Sequence, residues 1–120
     1  MFYNVLKSEI EILNDHNSSF ALVRIKKEDA ANFLVLLSAI EYGRVGRFFL
    51  KSSQYSLEFG TDRKFCLTGG GDGKIMEGEF TENEIDIIKC CCIDSVQNAY
   101  SDPHVDIERP LCDITISITG

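Results

Sequence analysis

No catalytic or cofactor motif stands in this chain. There are only two prolines, no C-x-x-C pair, no apolar run longer than Phe33–Leu37 and, after residue 71, only three basic side chains. Each absence excludes something. The shortage of proline and the lack of low-complexity sequence argue against a linker or a disordered tail. The short apolar runs leave no candidate for a membrane-spanning helix, and Lys7, Glu9 and Glu11 interrupt the N-terminal segment before it could serve as a secretory signal. Five cysteines, an odd number with Cys90, Cys91 and Cys92 adjacent, do not form a disulfide framework. A reducing, cytoplasmic setting and no contact with membrane are therefore expected.

What is present is 120 residues of ordinary globular composition, 44% apolar and 26% charged. A chain of this length makes one domain and removes roughly two thirds of its unfolded surface from water. The expectation is a single α+β domain over residues 1–120, an antiparallel sheet with two helices packed on it in the order β-β-α-β-β-β-β-α-β. A helix is predicted over about Glu28 to Tyr42, with Ala30, Phe33, Leu36, Leu37 and Ile40 inward, Leu34 and Val35 broadening that face, and Gly43 as a left-handed cap. A second begins at Thr81-Glu82-Asn83-Glu84, a capping box flanked by the staple Phe80 and Ile85, and carries the stripe Ile85, Ile88, Cys92, Val96 and Ala99. Alternation at period two marks strands through Ile10 and Ile12, Ala21 to Ile25, Tyr55 to Phe59, Phe65 to Leu67, Met76 to Phe80, and Cys112 to Ile118.

Three constellations invite a chemical reading, and each also has a structural one. The run Gly69 to Lys74 misses the phosphate-loop pattern, because Thr68 stands where the first glycine belongs, Ile75 replaces the hydroxyl and a strand follows; it reads as a hairpin turn. A thiol nucleophile would need His16 or His104 brought to a cysteine by the fold, while Cys92 and Cys91 sit on or beside the core stripe and Cys90 points nearer solvent. Asp102, His104, Asp106 and Glu108 share one side of an extended segment, but side chains along one strand diverge, whereas a metal needs converging ligands. No catalytic residue, metal or cofactor is expected, and the protein is read as not an enzyme. A small enzyme using a Cys/His or divalent-metal site, and a small-molecule-binding regulatory domain, stand as the alternatives.

The charge distribution carries the strongest information. Residues 1–71 hold nine basic and eight acidic side chains, whereas residues 72–120 hold three basic and eleven acidic, so the formal charge of −7 belongs to the C-terminal part. Such a surface repels nucleic acid and anionic lipid and attracts a basic protein. Capping accounts for Glu84, and the helix dipole gives Glu82 a structural cause as well. Eight of the acids form two patches: Glu77, Glu79, Glu82 and Asp86 before and within the second helix, and Asp102, Asp106, Glu108 and Asp113 after it.

A small, acidic α+β chain of this kind, with the segment Asp102-Pro103-His104-Val105-Asp106-Ile107-Glu108 near its end, resembles the immunity proteins of bacterial contact-dependent growth inhibition and related polymorphic toxin systems. The resemblance covers the character of the whole chain and carries no family motif. It implies a one-to-one complex with a cognate toxin domain, often a basic nuclease, whose active site or substrate surface is covered. The eight acids of the two patches are the expected partner-binding residues; the strand order and oligomeric state are left open.

Overall fold

Among the described residues, apolar side chains at alternate positions build nine strands, and two amphipathic helices supply the rest of the core. The computed structural model describes residues 5–15, 18–71 and 73–120; Met1–Asn4, His16, Asn17 and Asp72 lie outside the described residues. The elements are β1 (Val5–Lys7), β2 (Glu9–Asp15), β3 (Ser18–Lys26), α1 (Ala30–Glu41), β4 (Arg47–Lys51), β5 (Tyr55–Gly60), β6 (Lys64–Gly69), β7 (Gly73–Glu79), α2 (Glu82–Gln97), β8 (His104–Ile107) and β9 (Asp113–Thr119).

They form a five-stranded sheet, β1-β4-β5-β6-β7, and a four-stranded one, β2-β3-β9-β8. The two are joined at Ser8, where β1 runs on into β2 while the Ser8 N–H donates to the Lys51 carbonyl at 2.8 Å. Buried residues of both sheets and both helices make one cluster, including Val23, Leu57, Ile114, Ile116, Phe33 and Ile88. Each such side chain contributes about 1.5–3 kcal/mol by leaving water. Five phenylalanines run through this core: Phe33 meets Phe48 and Phe59 edge-on, Phe48 and Phe59 stack at 4.8 Å, and Phe80 stacks on both Phe59 and Phe65. Gly78 lets Phe65 lie this close, since a Cβ there would stand 3.2 Å from the ring.

The fold class is the expected one, with two corrections. The sheets are mixed rather than antiparallel, because β1 pairs parallel with β4 and β3 parallel with β9. Parallel partners must be joined by a long crossover, so no turn in the sequence announces the pairing. The expected order also omits β1 and β8, which at three and four residues are too short to establish a period.

Both helix ends follow the sequence closely. Gly43 takes φ +71°, its N–H donates to Ile40 and the Arg44 N–H donates to Ala39, a Schellman closure of α1. At α2 the Glu84 N–H donates to Thr81 Oγ1 at 3.0 Å and the Thr81 N–H to Glu84 Oε1 at 2.8 Å. The expected stripe of α2 is rotated, however. Ile88, Cys91, Cys92 and Ser95 are its buried residues, Val96 is exposed, and Ala99 lies past the helix end. The helix rests on β8 and β9 on one side and on α1 on the other, and that double contact draws the buried sector toward Cys91 and Ser95.

Candidate functional site

The expected hairpin at Gly69–Gly73 connects β6 to β7, with Gly73 at φ +73°. Beyond it, β7 leads through Phe80 and the Thr81 cap into α2, so Glu77 and Glu79 on the outer face of the sheet are followed at once by Glu82 and Asp86 on the exposed side of the helix. The second patch stands on the other sheet. Asp106 is on the outer face of β8, Asp113 opens β9, and Glu108 follows β8.

One side chain joins the two patches. Arg109 grips the Glu84 carboxylate through both terminal nitrogens, Nη1 at 2.8 Å and Nη2 at 2.5 Å, and donates further to the carbonyls of Glu79 at 2.9 Å and Glu108 at 2.6 Å. Its guanidinium carbon also lies 5.8 and 5.9 Å from the Phe65 and Phe80 ring centres. The end of β7, the start of α2 and the end of β8 thus form a single seam, with Glu79 and Glu108 on either side of one guanidinium. The Arg109 hydrogen bonds hold the Glu84 carboxyl below its usual range, against a smaller opposing push from burial.

Of the eight acids expected to bind a partner, the structure draws the ends of the two patches together and leaves Asp102 at the far end of β8. Several have internal duties. Glu77 pairs with Lys74 at 2.9 Å, Asp106 accepts from Thr115 Oγ1 at 2.7 Å and lies 3.7 Å from His104 Nε2, and the half-buried Asp113 accepts the Arg109 N–H at 2.9 Å. All three basic side chains of the C-terminal part are occupied: Lys74 by Glu77, Lys89 by Glu41 and Arg109 by Glu84. Glu79, Glu82, Asp86, Asp102 and Glu108 are exposed and have no salt bridge among the described residues.

Beside Glu82 and Asp86 lies a feature that periodicity did not reveal, a cleft of about 450 Å³ between the ends of α1, the start of α2 and the β5–β6 turn. The turn is Thr61-Asp62-Arg63-Lys64. Asp62 and Arg63 both take φ +60° and the Lys64 N–H closes onto the Thr61 carbonyl, the signature of a type I′ turn. Such turns favour Asn-Gly, and a side chain in the left-handed region costs about 1–2 kcal/mol. Two bonds to Phe80 hold the turn down: the Phe80 N–H donates to the Arg63 carbonyl at 2.7 Å, and Arg63 Nε donates to the Phe80 carbonyl at 3.0 Å. The sequence analysis did not single out Asp62-Arg63, a charged pair standing in a tight turn between two alternating segments. The outer face of α2 adds the exposed Ile87 and Ile93, apolar positions outside the core stripe.

The cysteines are free thiols in separate settings. Burial pushes Cys92 up to about 12 and raises Cys91 and Cys112. Cys66, between Glu58 and Glu77 across the sheet, is raised by burial and by those two carboxylates, so ionisation is opposed at each of these four thiols. His104 stands with Asp106 on β8, and His16 of the considered Cys/His pair is outside the described residues. Among the described residues no three His, Cys, Asp or Glu side chains converge as metal ligands, and no helix is long and apolar enough to cross a membrane.

Comparison of the chain with protein-family models, curated proteins and solved structures gave no match.

Proposed function

We propose that the protein is an immunity protein that binds a cognate, basic, nuclease-type toxin domain and covers its active site or substrate surface. The supporting observation is the set of exposed carboxylates without a salt bridge among the described residues, Asp86, Glu82, Glu79 and Glu108, at and beside the Arg109 seam, with Ile87 and Ile93 also exposed on α2. Carboxylates facing a nucleic-acid-binding groove speed encounter and displace the phosphate backbone that competes for it. The C-terminal charge is functional, on this reading, where it lacks a partner, and structural at Glu77, Glu84 and Asp113.

The test is direct. Replacing Glu79 with Glu108, and Glu82 with Asp86, by lysine in pairs should slow association with the toxin by tenfold or more at low salt, flatten its salt dependence and leave the thermal midpoint near wild type. Undiminished protection of cells from the toxin by these variants would end the proposal.

A further inference from the structure

The cleft beside the acidic run has the makings of an anchor pocket. Its floor is apolar and firm: Phe59 and Phe80 are buried and stacked at 5.4 Å, Leu37 is buried, and Ile40 and Ile85 keep part of their surface open. Its rim is acidic. Asp62, Glu82 and Asp86 have no salt bridge among the described residues and Glu41 is held by Lys89, while Arg63, turned onto the Phe80 carbonyl but still charged, and Lys64 set two cations against these three carboxylates. About 450 Å³ falls within the roughly 300–1,000 Å³ of small binding clefts. The turn forming one wall keeps two left-handed residues where glycine would relieve the strain, and strain retained in a clamped turn is a mark of ligand clamps. Glu82 and Asp86 belong to both the cleft and the exposed acidic run, so an occupant of the cleft touches the same edge.

We infer that the cleft receives a large apolar side chain from the partner's polypeptide, flanked there by lysine or arginine. The inference rests on the partner-binding reading above and adds the recognition element to it. The apolar group meets Phe59, Phe80, Ile40 and Ile85, while the flanking cations meet Asp62, Glu82 and Asp86. Charge sets the approach, and the buried side chain holds the complex once formed.

Titration of isotope-labelled protein with acetyl-Arg-Trp-Arg-amide, followed by amide shifts, tests this without the toxin. Shifts are expected at residues 60–64 and 80–86. Binding should be roughly tenfold weaker for acetyl-Arg-Ala-Arg-amide and lost for acetyl-Glu-Trp-Glu-amide. Thr61→Trp, at an exposed rim position, should fill the mouth and abolish the shifts; should that variant unfold, Glu82→Lys with Asp86→Lys provides the same readout by weakening the first peptide. Equal binding of the tryptophan and alanine peptides, shifts confined to other regions, or indole alone binding as tightly as the tripeptide would overturn the inference. Cleft shifts combined with no protection from a toxin would support the pocket and remove the immunity reading; protection lost in the lysine pairs but no cleft shifts would do the reverse.

Discussion

Glu84 and Glu82 stand two residues apart in the first turn of α2, and they have opposite fates. Glu84 is largely covered, caps its helix and is gripped by Arg109 across the seam; Glu82 is exposed on the cleft rim with no cation of its own among the described residues. Arg109 likewise ties down the carbonyls of Glu79 and Glu108 while leaving their carboxylates exposed. An acidic count therefore mixes two populations, one holding the fold together and one exposed without a salt bridge among the described residues. Pairing separates them where composition does not.

The widest break in this comparison is Arg109→Met. It removes a two-pronged bond to a carboxylate with only 19% of its side chain exposed and unfastens β7 and β8 from α2. A loss of about 2 kcal/mol is expected, read as a lower urea midpoint at unchanged slope. The double variant with Glu84→Gln should recover part of it, since no charge is then left covered and unpaired. A loss below about 0.5 kcal/mol would mean that the seam is as inconsequential as an ordinary surface pair.

Acid gives a smaller and more selective effect. The folded pKa of Glu84 is depressed, so its contribution is fully present above the unfolded carboxylate value of about 4.3 and disappears as pH falls through the lower folded value. Glu84→Gln keeps the capping box, because glutamine serves at that position as well. The wild-type advantage over this variant, about 1 kcal/mol at neutral pH, should shrink progressively below about pH 4 in a series of denaturant melts. An advantage unchanged down to pH 2 would show that Arg109 does not act on the carboxylate. The smallest expected effect is at the rim: Glu82→Gln with Asp86→Asn should move stability by less than about 0.5 kcal/mol, and a larger loss would place these acids with Glu84 among the structural ones.

Much of the fold is legible along the chain because it is local. The Thr81 to Glu84 box, the Gly43 cap and the alternation through Ile114, Ile116 and Ile118 depend on neighbours within a few residues, and all take the conformations their spacing requires. The parallel pairings of β1 with β4 and β3 with β9 were not legible, since their partners are some forty and ninety residues apart. Neither was the exact buried face of α2, where Val96 fits a helical stripe as well as Ser95 does until α1 and β8 choose between them. At the candidate site the sequence identified the acids but not their standing. Nothing local distinguishes Glu84 from Glu82 beyond the cap, or marks Arg109 as the residue that reaches back twenty-five and thirty positions to Glu84 and Glu79 and so joins the two patches.

The sequence by itself determined the class of fold, the end of α1 and the start of α2, and a C-terminal surplus of negative charge, all of which follow from composition and short-range stereochemistry. Tertiary structure alone decided which carboxylates are neutralised, that the patches meet at Arg109, and that a cleft opens beside them. Charge pairing and enclosure depend on distances between segments remote along the chain, and those distances exist only once the two sheets have closed around their helices.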